Sequence, residues 1–320
     1  MRLLFISPIF NDYYKLILTE MAMLNIEAVH FSDKPLSFIY RLFGFLSPEI
    51  KKAFNRYYLD SIIRNAKIEK YDYVFVIKGT ILDEEFMTSL RMVLPGARFV
   101  MYQWDSSRTH KAFVQITSFF NKVFTFDTMD AKDYQFEYLP LFYSRLYENM
   151  TKAGSPKYDL AFVGEYYPDS DRLDVVKKID EIFKSYGLNF HYSLRVELLA
   201  LFKFVFFRQL KLVDLPYISI GRISQNDVIK LYSNTIAVLD VEHIEQTGLT
   251  MRTIETLGAG VKLVTTNINI RNEDFFSENK IMVIDRVNPM ISPSFFKGKE
   301  PERLDQQYSI NSWLKQVLRC

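Results

Sequence analysis

The chain has 320 residues, room for two domains at about 150 residues each. Hydrophobic residues make up 48% and charged residues 24%, so it can bury sizeable cores, and Lys+Arg of 40 against Asp+Glu of 38 excludes a strongly basic nucleic-acid binder and an acidic disordered tail. Cys320 is the only cysteine, which excludes an intrachain disulfide and a cysteine-based zinc site and fits a reducing cytoplasm.

The apolar run at residues 3–6 is too short for a secretory leader and reads as a first buried strand. No run of 18 charge-free apolar residues occurs, so no transmembrane helix is expected. Short Val/Ile/Phe runs then alternate with amphipathic stretches, the mark of βαβ units around a parallel sheet. In the first half, strands are expected over 2–6, 26–30, 73–77, 98–102 and 122–126, with a short edge strand at 136–138. Helices are expected over 13–24, over 47–65 with Ser47 as cap and Pro48 at its first position, and over 83–92. Residues 149–157 carry Thr, Gly, Ser and Pro between two apolar strands and read as a linker, dividing the chain into domains 1–150 and 151–320. The second half repeats the pattern. Strands are expected over 159–163, 189–192, 217–220, 236–241, 262–266 and 280–284. Helices are expected over 172–186, 225–233 and 250–257, ended by Gly187 in the first case and Gly258 in the last. The expected class is α/β: two doubly wound, Rossmann-like parallel-sheet domains facing across a cleft.

In such sheets ligands bind beyond the carboxyl ends of the strands, so the residues just after each strand are the candidates. Gly164 lets backbone approach a ligand closely, though a turn glycine would look the same. Arg222 can pair bidentately with phosphate oxygens, against the alternative of a solvated loop arginine beside a helix capped by Ser224. The richest segment follows the strand at 236–241. Thr247 and Gly248 are expected to open a helix, so that Thr247, Gly248, Leu249 and Thr250 offer free N–H groups to a diphosphate at the positive dipole end. Arg252 in its first turn would neutralise phosphate, and Glu255 would accept hydrogen bonds from a ribose diol. In the first half, Lys78 follows one strand and would bind an anionic group. Asp105 follows the next and would serve as a general base toward a hydroxyl, with helix capping as its plain alternative. Asp127, Asp130 and Asp133 suggest a metal, but capping of a short helix by Asp127 is the better reading. The string Asp169-Ser170-Asp171 is read as helix capping rather than as a metal-binding DxD motif. Two apolar-basic segments, 36–58 with Lys51, Lys52 and Arg56, and 194–212 with Lys203, Arg208 and Lys211, carry too much charge to span a membrane and suit a membrane interface. A core helix or an oligomer contact would account for them equally well.

The segments 159–164, 220–223, 231–240 and 248–266 resemble, in that order, the donor-binding domain of GT-B glycosyltransferases. The segments 76–79, 102–106, 124–127 and 138–141 resemble the first half of bacterial lipopolysaccharide and capsule transferases of that fold. The resemblance implies a sugar moved from a nucleotide-diphosphate donor to a glycan or lipid-linked glycan acceptor, with no cofactor, no metal and no nucleic acid. It places the chain in the cytoplasm at the inner face of the plasma membrane. It maps Glu255 onto the ribose and residues 247–250 onto the diphosphate. Many retaining members carry a second glutamate upstream of the first; seven residues before Glu255 the chain has Gly248. That departure motivates a second reading, a non-catalytic GT-B scaffold of a polysaccharide assembly complex. A nucleotide-sugar epimerase or other dinucleotide enzyme is the weakest reading, because no GxGxxG follows the first strand.

Overall fold

The computed structural model describes residues 1–37, 40 and 47–319, so part of the apolar-basic segment 36–58 lies outside the described residues. The chain divides into two units. The first comprises Met1–Pro140, Glu245–Gly248 and Ile310–Cys320, and the second Leu141–Ile244 and Leu249–Ser309.

The first unit holds six parallel strands: β1 (Arg2–Ser7), β2 (Glu27–Ser32), β3 (Tyr73–Ile77), β4 (Arg98–Gln103), β5 (Lys122–Thr125) and the short edge strand β6 (Glu137–Tyr138). Their order, β2-β1-β3-β4-β5-β6, reverses direction between β1 and β3. A parallel sheet buries both faces, and the near-continuous apolar runs of β1, β3 and β4 meet that need. The helices are α1 (Tyr13–Met23), α2 (Pro48–Ile68), α3 (Glu84–Val93) and α4 (Thr128–Tyr134). Their starts follow local chemistry. Ser47 accepts from the Ile50 N–H with proline at the next position, and Asp83 accepts from the Phe86 N–H. Leu59, Ile62, Phe86, Met87 and Leu90 pack with Val74, Val76 and Phe99 into one core. A 3₁₀ stretch, Lys111–Phe119, adds Phe113 and Ile116 to it. Sequence periodicity did not anticipate the helix Ile310–Leu318, which belongs to this unit. Its Trp313 is buried against Phe75 and Tyr102, with ring centroids at 6.0 and 4.8 Å.

The second unit contains α5 (Arg145–Glu148) and six parallel strands: β7 (Tyr158–Glu165), β8 (Phe190–Val196), β9 (Ile218–Ile220), β10 (Thr235–Asp240), β11 (Lys262–Thr265) and β12 (Ile281–Val283). Their order is β12-β11-β10-β7-β8-β9, with the reversal between β7 and β10. Helix α6 (Arg172–Tyr186) ends at Gly187, whose φ of 66° is the left-handed conformation that glycine takes without a Cβ penalty. It buries Val176, Ile179 and Phe183, at i, i+3 and i+7, against Leu160, Phe162 and Leu239. Helices α7 (Leu198–Phe206), α8 (Gln225–Ser233) and α9 (Met251–Gly258) follow. The expected helix at 225–233 is present at those bounds, capped by Ser224. Helix α10 is the Ile310–Leu318 segment of the first unit.

Candidate functional site

The strand order locates a crevice in the second unit by topology alone. Where β7 and β10 lie side by side, their connections leave in opposite directions and open a gap beyond their carboxyl ends. Asp240, the last residue of β10, is fully buried and organises that gap. One carboxylate oxygen accepts the hydroxyls of Thr250 and Thr253, each at 2.7 Å, and the other accepts Nη1 of Arg252 at 2.9 Å. Thr250 in turn accepts the Thr253 N–H at 3.2 Å, so it caps α9. The Nη2 of Arg252 donates to the Val163 carbonyl of β7 at 2.5 Å. Arg252 therefore clamps the two central strands at their switch point.

A second arginine joins the start of α6 to the residues after β10. Arg286 Nη1 holds both oxygens of Asp171 at 2.7 and 2.9 Å, and its Nη2 reaches the Glu242 carboxylate at 2.7 Å. Burial pushes the Glu242 carboxyl above its ordinary range, against the pull of Thr266 and Arg286.

Arg172 completes the group. It occupies the first position of α6, and its Nε donates to the Val241 carbonyl at 2.9 Å. Burial lowers its pKa first, and the neighbouring Arg252 and Arg286 lower it further. Asp240 is engaged by Arg252, and Asp171 and Glu242 by Arg286. Among the described residues none forms an ion pair with Arg172. Arg172 and Arg252 both sit in first helical turns, where the dipole favours acids, so each adds positive charge to a positive helix end. The crevice gathers three guanidiniums and two helix N-termini, and Arg172 is the guanidinium there that makes no ion pair among the described residues, an arrangement that suits an anion.

Sequence reasoning passed over Arg172, Arg286 and Asp240. The usable signal was the wrong-sign charge: an arginine at the opening of the helix that follows a central strand.

The other expected site residues are distributed as follows. Glu255 lies on α9 and is buried. Gly164 lies inside β7 rather than in a turn after it, and a Cβ there would meet the Phe162 ring at 2.7 Å. Arg222 projects into solvent, 77% exposed, and pairs with Glu197 at 3.0 Å, away from the crevice.

The expectation that Thr247 and Gly248 open a helix is corrected. That helix begins at Met251 with Thr250 as its cap, because the Thr250 side chain satisfies the Thr253 N–H. Thr247 and Gly248 belong to the first unit, and Leu249 and Thr250 to the second. The Thr247 N–H donates to Asp127 at 3.3 Å and its hydroxyl accepts from Arg108 at 3.2 Å. Gly248 packs so closely on Phe126 that a Cβ would stand 2.5 Å from its ring and its carbonyl oxygen.

The capping expected of the Asp169-Ser170-Asp171 string is corrected in part. Ser170 Oγ accepts the Arg172 N–H at 3.3 Å, while Asp171 is turned to Arg286 and makes no cap bond. Asp127 does cap α4, accepting the N–H groups of Met129 and Asp130, and it also binds Arg108 at 2.7 Å. Burial raises the Asp127 carboxyl, but the Asp130 N–H, Arg108 and Thr247 outweigh that and hold it below its ordinary range.

In the first unit, the ends of β3 and β4 bring Lys78 and Asp105 together at 2.5 Å, each about one third exposed. Lys78 adopts φ 67°, a left-handed conformation costly for a residue with a side chain. Its N–H donates to the Tyr102 carbonyl at 3.2 Å, and its own carbonyl accepts from Gln103 at 3.1 Å; these bonds hold the turn. Among the described residues no group of three or more His, Cys, Asp or Glu gathers as a metal would require, and no helix is long and apolar enough to cross a membrane.

Two six-stranded parallel sheets, each wound on both sides by helices, make this a GT-B fold. Solved structures with that fold resemble the chain over nearly its whole length. A UDP-GlcNAc 2-epimerase from Neisseria meningitidis bound to UDP-GlcNAc is 9% identical with a TM-score of 0.60, covering 100% of this chain and 99% of its own. Anabaena Alr3699/HepE in complex with UDP-glucose is 10% identical with a TM-score of 0.57, covering 100% and 98%. A glycosyltransferase from Rickettsia africae is 11% identical with a TM-score of 0.52, covering 89% and 84%. No family model and no curated protein matches the sequence. At such identities the likeness is one of fold.

Proposed function

We propose that the chain is a glycosyltransferase that binds a nucleotide-diphosphate sugar at the β7/β10 crevice and passes the sugar to a glycan acceptor. The observation that carries this reading is Arg172: a guanidinium in no ion pair among the described residues, at a helix N-terminus, on the switch point of a Rossmann-like sheet. The same fold holds UDP-glucose in the Anabaena structure and UDP-GlcNAc in the Neisseria structure, which supports the donor class.

In this reading an acceptor hydroxyl attacks the anomeric carbon. The bond from that carbon to the phosphate oxygen breaks, and the diphosphate leaves with the electron pair. Arg172 and the α6 and α9 N-termini stabilise the departing charge, so the reaction is assigned no metal. Arg252 and Thr250 shape the pocket through Asp240, Gly164 borders it, and Glu255 takes the ribose. Asp105 receives the acceptor proton, with Lys78 positioning it and meeting an anionic group of the acceptor. Thr247, Gly248 and Leu249 lead into the capped helix. The acceptor class, a lipid-linked glycan of surface-polysaccharide synthesis, rests on the resemblance of the first half.

The test is a thermal-shift and titration panel of UDP, GDP, CMP, dTDP and ADP. One nucleoside diphosphate should raise the melting temperature by mass action. Arg172→Ala should weaken its binding by roughly 10- to 100-fold, the worth of one charge-assisted hydrogen-bonding group. Absence of binding by every nucleotide and nucleotide sugar would overturn the reading. Tight binding with no turnover of any donor would leave the scaffold.

A further inference from the structure

We infer that the outer face of α7 and the turn after it form a docking surface for an anionic lipid bilayer. This inference is independent of the reaction proposed above. Helix α7 is apolar on both sides. Leu201, Phe204 and Val205 face inward onto the core of the second unit, and Phe204 meets Tyr166 edge-on at 5.6 Å. The opposite stripe, Leu199, Phe202 and Phe206 at i, i+3 and i+7, is exposed by 84%, 66% and 81%. Phe207, Leu212 and Val213 continue the exposed apolar surface beyond the helix. Phe202, Lys203, Val205, Phe206 and Phe207 line one shallow hollow, so these groups are neighbours on the surface. An apolar patch of this kind on a water-soluble face marks a site that another phase or partner covers.

Charge selects the occupant. From residue 198 to 213 the chain carries Lys203, Arg208 and Lys211 and no Asp or Glu. Among the described residues none of the three cations is in an ion pair, while the flanking acids are taken: Glu197 by Arg222, and Asp214 by Lys177 at 2.5 Å. Exposed aromatic rings interleaved with free cations match a bilayer interface. The rings enter the headgroup region and the long basic side chains reach back to lipid phosphates. Among the described residues no helix is long and apolar enough to span, so the element lies on the membrane surface.

The test is co-sedimentation of the full chain with vesicles of phosphatidylcholine alone and of phosphatidylcholine with one third phosphatidylglycerol. Binding is expected to the anionic vesicles and to weaken with salt. The triple variant Lys203→Gln, Arg208→Gln, Lys211→Gln should lose on the order of a hundredfold in partitioning. Phe202→Glu with Phe206→Glu should lose roughly tenfold or more at unchanged melting temperature, since both side chains are exposed. A Phe206→Trp reporter should shift its emission to the blue on adding anionic vesicles. The inference falls if the wild-type chain stays in the supernatant with anionic vesicles, or if either variant binds as well as wild type. It falls also if the patch instead drives concentration-dependent dimerisation in the absence of lipid that the same substitutions abolish.

Discussion

Replacing Asp240 by alanine removes the one carboxylate that three donors share at the switch point of the second sheet. Asp240 is fully buried, and its loss leaves the hydroxyls of Thr250 and Thr253 without their acceptor and Arg252 without its ion-pair partner, holding the Val163 carbonyl, the Phe162 ring and the field of Glu255. Breaking a buried ion pair from one side costs about 3–5 kcal/mol. The Arg252 side chain is 21% exposed, so water recovers part of its solvation and the pair itself belongs at the lower end of that range. The two orphaned hydroxyls add about 1 kcal/mol together once they relax toward other acceptors. A loss near 4 kcal/mol corresponds to a fall of roughly 8–16 °C for a unit of this size. Calorimetry should show that fall in one component. Tryptophan emission gives a separate view, because Trp104 and Trp313 both lie in the first unit. The double variant Asp240→Ala with Arg252→Met should recover at least half the loss, since it removes the guanidinium that the single variant strands. A loss under about 1 kcal/mol, or a double variant less stable than either single one, would refute the account of this cluster.

Three further outcomes follow from the geometry. Gly258→Ala should destabilise by about 1–3 kcal/mol in urea titration, because the new Cβ would stand 2.4 Å from the buried Tyr143 ring, which outweighs the helix-propensity gain. Asp127→Asn should lower the stability of the first unit at neutral pH, with the gap from wild type closing in acid. The Asp127 pKa is lower in the folded state than the ordinary 3.8, so its contribution is present above 3.8 and fades as pH falls through the folded value; tryptophan emission across an acid titration reads the difference. Arg222→Ala should change nucleoside-diphosphate affinity by less than about twofold in calorimetric titration, since its exposed pair with Glu197 stands apart from the crevice.

Local chemistry was legible in the sequence wherever one short-range interaction decides a boundary. Ser47 before Pro48, Asp83, Ser224 and Gly187 each set a helix end within a few residues of themselves, and those ends lie where capping rules put them. The parallel strands were legible because a sheet covered on both faces demands unbroken apolar runs. The crevice was not. Asp171, Glu242 and Arg286 meet through contacts of 44 and 115 residues of separation, which no local spacing encodes. Helix periodicity says that a stripe will be buried but not on which partner, so nothing local tied Ile310–Leu318 to the first sheet. Thr247 and Gly248 misled for a related reason. Their composition suits a helix start, yet their donors and contacts are spent on Asp127 and Phe126, distant in sequence.

The placement of Trp313 bears on how the molecule is made. The first sheet leaves the ribosome before the second, yet the ring that fills the space beside Phe75 and Tyr102 arrives only after the whole second sheet has been synthesised. Until then those two aromatic side chains have no cover from α10, and the early half waits as an incomplete body. A fragment ending at residue 140 should therefore be poorly soluble and should respond to a separately added peptide of residues 310–319. Dissection of this chain for study has to follow its packing rather than its linear order.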